Sequence, residues 1–309
     1  MTCVRAATTV QQHHSPPDWF PHTSGGVRAL LLRGASRDAF RKSSSLDTEH
    51  FTLSWENGNA IVAYDLPLEM IDNGLAQLVA DQLGRSPVAA TPGELADVIA
   101  AIVLSTDPDP AAAWTGFYVR TLERMSSKRE ETDLVGNNQV DVFAAIYRYA
   151  TQLVRGHTVL DVASCLGLWP LMLAERGCQV TAVDTDRRAM ALLATMGRRL
   201  ETVVHALVGE ATRLPCRSGA FATSTSIHLL EHLDEADAML AVDELLRTCR
   251  ERAIVAVPFE KELTTAFGHV RRFDLATLRD LGDEYRGRHG VTRVSVTEHH
   301  GGWIVLDKR

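Results

Sequence analysis

The chain has 309 residues, 45% hydrophobic and 23% charged, with a formal net charge of -7. That balance suits one large or two smaller globular domains. It excludes a general nucleic-acid binder, which needs many phosphate-neutralising cations. The five cysteines, Cys3, Cys165, Cys178, Cys216 and Cys249, are scattered without a CxxC pair. This pattern points to a reduced, cytoplasmic setting and argues against structural zinc. No apolar run is long enough to span a bilayer, and residues 1–10 lack the apolar core of a secretory signal.

Residues 11–45 mix His, Pro, Gly, Ser and Arg with little periodicity, so residues 1–50 are expected to be poorly ordered. Order is expected from Phe51. Runs 51–55 and 60–64 alternate around Glu56-Asn57-Gly58-Asn59, and an Asn-Gly pair supplies the positive φ angles of a tight hairpin. A helix is predicted over 66–83. Another starts at Thr91-Pro92-Gly93-Glu94, where Thr91 caps, Pro92 fits the first turn and Glu94 reaches back. A third covers 111–125, and the charged run 126–133 reads as a linker or lid. A helix over 139–154 then carries Val142, Ala145, Ile146, Tyr149 and Leu153 at helical spacing.

From here strand and helix alternate, the pattern of a mostly parallel sheet covered on both faces. Strands are expected over 158–162, 180–184, 203–208, 221–227 and 253–258, with helices over 168–175, 187–197 and 235–249. After a helix capped by Asp274, two β-like runs over 291–297 and 303–307 form a closing hairpin. The fold class is therefore α/β: a Rossmann-like sheet with a C-terminal antiparallel hairpin, preceded by an α+β accessory region. Three parts are expected: a poorly ordered segment 1–50, an accessory or lid region 51–135, and a ligand-binding domain 136–309.

The chemistry concentrates in Val159-Leu160-Asp161-Val162-Ala163-Ser164-Cys165-Leu166-Gly167. An apolar strand ends in an acid, turns on small residues and runs into an apolar helix, which lets backbone approach a nucleotide-like ligand. The next strand ends in Asp184, where a parallel α/β fold grips a ribose diol. Leu160-Asp161-Val162-Ala163-Ser164-Cys165-Leu166-Gly167 resembles the LDVGCGTG motif of class I S-adenosylmethionine (SAM)-dependent methyltransferases. Gly209-Glu210-Ala211-Thr212-Arg213-Leu214-Pro215 is similar to that family's GDAxxLP segment, and Leu230-Glu231-His232-Leu233 matches its LEHL. Gly268-His269-Val270-Arg271-Arg272-Phe273 resembles a GHxRxF stretch found after the fifth strand.

The resemblance implies SAM as cofactor and assigns roles by position. Asp161, Ala163, Ser164 and Gly167 would hold its methionine end, Asp184 its ribose, and Thr185 would lie beside the adenine. Glu210 stands where an acid contacts the adenine amino group, with Ala211 adjacent; Ser226 and Ile227 would lie near the transferred methyl. Ala163 and Cys165 replace customary glycines, so a Cβ there costs stability wherever the turn demands positive φ.

The histidines His228, His232 and His269 are candidates for the general base on an acceptor hydroxyl, and Glu231 is read as organising its loop. The spacing His228-x-x-Glu231-His232 resembles a metal-site arrangement in some quinone O-methyltransferases. An acid stands first there, and with His228 in that place no metal is assigned. Arg271 and Arg272 are candidates for binding an anionic acceptor or for pairing with surface acids.

The whole chain further resembles glycan-associated methyltransferases of the mycofactocin oligosaccharide type. O-methylation of a small molecule or glycan is therefore expected, with no nucleic-acid partner and no membrane span. Two alternatives belong to other classes. A non-catalytic SAM-binding module would bind SAM without turnover. A nicotinamide-dependent oxidoreductase would need a glycine pattern that Ala163-Ser164-Cys165-Leu166-Gly167 lacks.

Overall fold

A computed structural model of the chain describes residues 26–127, 139–264 and 267–309. The charged run 126–133 lies outside these residues from position 128 onward. Order begins ahead of Phe51. Strand β1 (Val27–Leu31) and helix α1 (Ala35–Arg41) precede β2 (Leu46–Asp47), β3 (Phe51–Glu56) and β4 (Asn59–Tyr64). This corrects the expectation of poor order for residues 26–50. β1 lies parallel to β4, with Val27 opposite Ala60 and Leu31 opposite Tyr64. Such a non-local partner leaves little local periodicity to read.

β3 and β4 form the expected hairpin, with Asn57 at φ 50° and Gly58 at φ 82°. Together the first four strands make a sheet in the order β1-β4-β3-β2. The helix expected over 66–83 is two pieces. A 3-10 turn at Leu68–Met70 comes first, followed by α2 (Leu75–Leu83). Between them Asp72 Oδ1 accepts from the Gly74 N–H at 2.8 Å, a turn that competes with helical bonding. Helix α3 (Pro92–Leu104) opens on the full capping box between Thr91 and Glu94. Helix α4 (Pro110–Ser126) is capped by Asp109.

The second sheet follows α5 (Gln139–Leu153). Its first members are β5 (Thr158–Val162), α6 (Leu168–Glu175), β6 (Gln179–Asp184), α7 (Arg187–Arg199) and β7 (Val204–Val208). Then come β8 (Phe221–Ile227), α8 (Glu235–Thr248), β9 (Cys249–Val257), α9 (Leu275–Glu284), β10 (Val291–Glu298) and β11 (Gly302–Lys308). The seven strands lie in the order β10-β11-β9-β8-β5-β6-β7. β7, β6, β5, β8 and β9 run parallel; β11 lies antiparallel to β9, and β10, antiparallel to β11 in the closing hairpin, points the same way as the five. The chain steps outward from β5 to β7 and then returns to the other side of β5 at β8. That reversal opens a crevice at the carboxyl ends of β5 and β8, where ligands of open α/β sheets bind.

One apolar core joins the N-terminal helices to the second sheet's helices. Trp114, Phe117, Tyr118 and Met125 of α4 share it with Leu168, Leu171, Leu193 and Met196 of α6 and α7. Each large side chain buried this way contributes about 1.5–3 kcal/mol. Arg124 of α4 adds a polar tie, reaching Asp72 at 2.8 Å and Asp141 of α5 at 3.2 Å. No helix among the described residues is long and apolar enough to cross a membrane.

Candidate active site

The turn after β5 runs through three left-handed residues, Ala163 at φ 63°, Cys165 at φ 49° and Gly167 at φ 68°. The two residues that replace customary glycines therefore stand where glycine is easiest, at a cost of about 1–2 kcal/mol each. At Gly167 a Cβ would in addition run into the methyl groups of the buried Leu193 side chain, which would have to shift. Hydrogen bonds hold the turn from both sides. The N–H groups of Ala163 and Ser164 donate to the Val183 carbonyl at 2.8 and 3.2 Å. From α4, the fully buried Tyr118 donates its hydroxyl to the Leu166 carbonyl at 2.7 Å.

Asp161 is 5% exposed and accepts from Thr225 Oγ1 at 2.9 Å. Burial pushes its carboxyl up to about 7 against the pull of hydrogen bonds from Ser164 and Thr225, and the nearby Asp184 charge pushes the same way. Asp184, at the end of β6, is tied to the turn. Its Oδ2 accepts from the Cys165 N–H at 2.8 Å and its Oδ1 from the Asp186 N–H at 2.9 Å. A carboxylate offers about four acceptor positions, so two remain for a ligand. Ser226 is fully buried and its hydroxyl has no hydrogen-bond partner among the described residues.

A cavity of about 1050 Å³ opens at the strand ends. It is lined by Asp161, Ala163, Ser164 and Gly167 on one side and by Ile227, His228, His232 and His269 on another. Asp184, Thr185, Glu210, Ala211 and Ser226 are not among its lining residues. Thr185 and Glu210 are instead exposed, beyond the ends of β6 and β7. Arg271 and Arg272 also lie off the cavity, donating to the backbone carbonyls of Asp234 and Lys261.

His228 ends β8 in the left-handed region at φ 57°, a conformation that concentrates at functional sites. Burial pushes its imidazole down to about 4, with the neighbouring His269 and His232 acting in the same direction. Burial also lowers His232. His269 Nδ1 lies 2.8 Å from Glu260 Oε2. Glu231 organises its loop through its backbone, whose carbonyl accepts from the Val270 and Arg271 N–H groups at 2.8 and 3.1 Å. Its side chain takes no part in this. The carboxyl is 1% exposed, neither oxygen has a hydrogen-bond partner among the described residues, and burial pushes its pKa up to about 8.

Several lining residues escaped sequence reasoning. Phe143, Tyr147 and Trp169 form an aromatic wall, with Tyr147 stacked on Trp169 at 6.2 Å and Phe143 against His228 at 5.4 Å. At helical spacing such side chains read as core. Asn73, Ala76 and Gln77 bring the N-terminal region to the cavity, and His300 approaches from the final hairpin.

Residues 159–252 match a family model described as a methyltransferase domain. No curated protein matches the chain. Among solved structures, a protein from Pyrococcus horikoshii OT3 is similar at 14% identity and a TM-score of 0.47, covering 57% of this chain and 94% of that one. Magnesium protoporphyrin IX methyltransferase from Synechocystis PCC 6803, with bound SAH, is similar at 13% identity and a TM-score of 0.43, covering 64% and 98%. A SAM-dependent methyltransferase from Aquifex aeolicus is similar at 16% identity and a TM-score of 0.43, covering 60% and 96%.

Proposed function

We propose that this chain, a methyltransferase with SAM as its cofactor, methylates a hydroxyl oxygen of an uncharged, hydroxyl-rich small molecule or glycan. The observation that carries this reading is the lining of the cavity. Among the described residues it presents the carboxyl groups of Asp161, Glu231 and Glu260, four histidines, an aromatic wall and a single lysine, Lys261. Aromatic faces beside hydrogen-bonding groups suit a sugar ring, and the described lining holds no cluster of lysines and arginines for an anionic acceptor. The specific acceptor we put forward is a glucose unit of the mycofactocin oligosaccharide, on the resemblance of the whole chain to methyltransferases of that type.

The residues present fit the cofactor. A carboxylate at Asp161 matches an ammonium group, and the free acceptor positions of Asp184 match a diol. The unpartnered Ser226 hydroxyl adds a polar group beside them. In this reading Ala163, Ser164 and Gly167 hold the methionine end, while Thr185, Glu210 and Ala211 flank the adenine. When bound, SAM supplies a methyl group on a positively charged sulfur. The protein's part is alignment and exclusion of water. Phe143, Tyr147 and Trp169 dry the wall beside Asp161, Asn73 and Gln77 roof it, and His228, His232 or His269 takes the acceptor proton.

The test is incubation with labelled SAM and candidate oligosaccharides, followed by mass spectrometry of the products. A methylated sugar is expected from the native protein and not from Asp184→Ala. Absence of any methylated sugar, or SAM affinity unchanged in Asp184→Ala, would overturn the reading.

A further inference from the structure

We propose that Glu231, His232 and His269 bind one divalent first-row transition-metal ion in the cavity. Their ligand atoms, one from each residue, all lie within 4.8 Å of one another. Bonds of about 2.0–2.2 Å to imidazole nitrogen and carboxylate oxygen put neighbouring ligands about 3.4 Å apart in a tetrahedral shell. Small side-chain rotations therefore close the set onto an ion. His232 and His269 come from separate segments, the turn after β8 and the loop after β9, and their rings meet edge to face at 4.8 Å.

Glu231 points to a ligand independently of that proximity. Its side chain is 99% buried, it lines the cavity, and neither carboxyl oxygen has a hydrogen-bond partner among the described residues. The nearest ionisable nitrogen, His228 Nδ1, stands 4.0 Å away, beyond hydrogen-bond reach. A buried carboxyl left without a partner is unfavourable. Its loop is already held by the backbone carbonyl, so local structure leaves the side chain unexplained. A cation supplies the missing partner.

The surroundings are built as metal ligands need them. Glu260 Oε2 lies 2.8 Å from His269 Nδ1, while Glu260 Oε1 accepts from Thr264 Oγ1 at 2.7 Å. A carboxylate on Nδ1 fixes the ring and leaves Nε2 as the ligand atom. Two imidazoles and one carboxylate select zinc, cobalt, manganese or ferrous iron over the all-oxygen sites of magnesium and calcium. Three protein ligands leave coordination open for an oxygen of the acceptor, whose proton the ion would make more acidic; with His232 and His269 on the ion, His228 is the histidine left to take that proton. That role rests on the methyl-transfer reading above; binding of the ion does not.

The experiment is titration of the metal-free full chain with Co2+, read by visible absorption, and with Zn2+, read by calorimetry, in the native protein, Glu231→Gln and His269→Ala. One ion per chain is expected, with at least tenfold weaker binding in each variant and unchanged binding in His289→Ala, which alters a surface pair with Asp243. X-ray absorption of the bound zinc should show two imidazole ligands, a readout that needs no variant to fold. No stoichiometric ion, unchanged affinity in both variants, or an ion without imidazole ligands would overturn the proposal. Methyl transfer from labelled SAM is measured separately. Its persistence without a bound ion sinks the ion's role in that reaction and leaves both the binding site and the methyl-transfer reading standing, and its absence with the ion bound sinks the methyl-transfer reading alone.

Discussion

Acidification from pH 7 to pH 5 should weaken SAM binding through one group, Asp161. Its carboxyl, held at about 7 by burial, is about half ionised at neutral pH. The ammonium of an amino-acid moiety stays protonated below about 7.7, so over this range Asp161 alone sets the pairing. If only the ionised form binds, the apparent Kd rises as the ionised fraction falls. That gives weakening of about fivefold from pH 7 to pH 6 and a further about ninefold to pH 5. Calorimetry in buffers of different ionisation enthalpy should count about half a proton released per SAM bound at pH 7, rising toward one at pH 6. Asp161→Asn should bind more weakly at pH 7 and lose the slope. A Kd constant within about twofold from pH 7 to 5, or the same slope in the asparagine variant, would refute the reasoning. The same shift has a stability sign. The folded value lies above the unfolded one of about 3.9, so the contribution of Asp161 to folding is complete below about pH 4. It is lost as pH rises through about 7, by at most about 4 kcal/mol. Bound SAM should reverse that loss.

Two substitutions address the turn itself. Tyr118→Phe removes the donor to the Leu166 carbonyl and should cost about 1–2 kcal/mol in chemical denaturation, with weaker SAM binding; unchanged affinity would show that the turn holds itself. Cys165→Gly relieves the residue at φ 49°, less the entropy that glycine adds to the unfolded chain. It should gain about 0.5–1 kcal/mol in the same assay, and a loss would remove strain from the description of this turn.

The seven-stranded half was legible because its signals are local. The strand ending at Asp161, the turn to Gly167 and the helix after it lie within a few residues of one another, and the two ends of the alternating pattern, β5 and β11, fell within a residue of expectation. β1 was not legible, because Val27–Leu31 is made a strand by β4 across more than thirty residues of chain. The expected break-free helix over 66–83 failed at Asp72 and Gly74, where a side chain competes with the helical bond. Sequence could single out Asp184 but not its donor from the Cys165 N–H, which exists only once β5 and β6 lie side by side. It could also see Glu231 and His232 together. The approach of His269, and the lack of a hydrogen-bond partner for the Glu231 carboxyl among the described residues, are properties of the folded cavity.

The Tyr118 hydroxyl also has a thermodynamic consequence. It comes from the accessory region, which shares one core with α6 and α7, and it ends on the turn beside Asp161. Linkage makes such a tie reciprocal: a displacement of α4 that weakens SAM binding is itself opposed by SAM, by the same factor. Asn73 and Gln77, on the segment leading into α2 and on α2 itself, face the cavity from that same region. An acceptor that settles against them therefore acts on the cofactor turn through a shared solid core. The two occupants of the cavity should report on each other's affinity even where they do not touch.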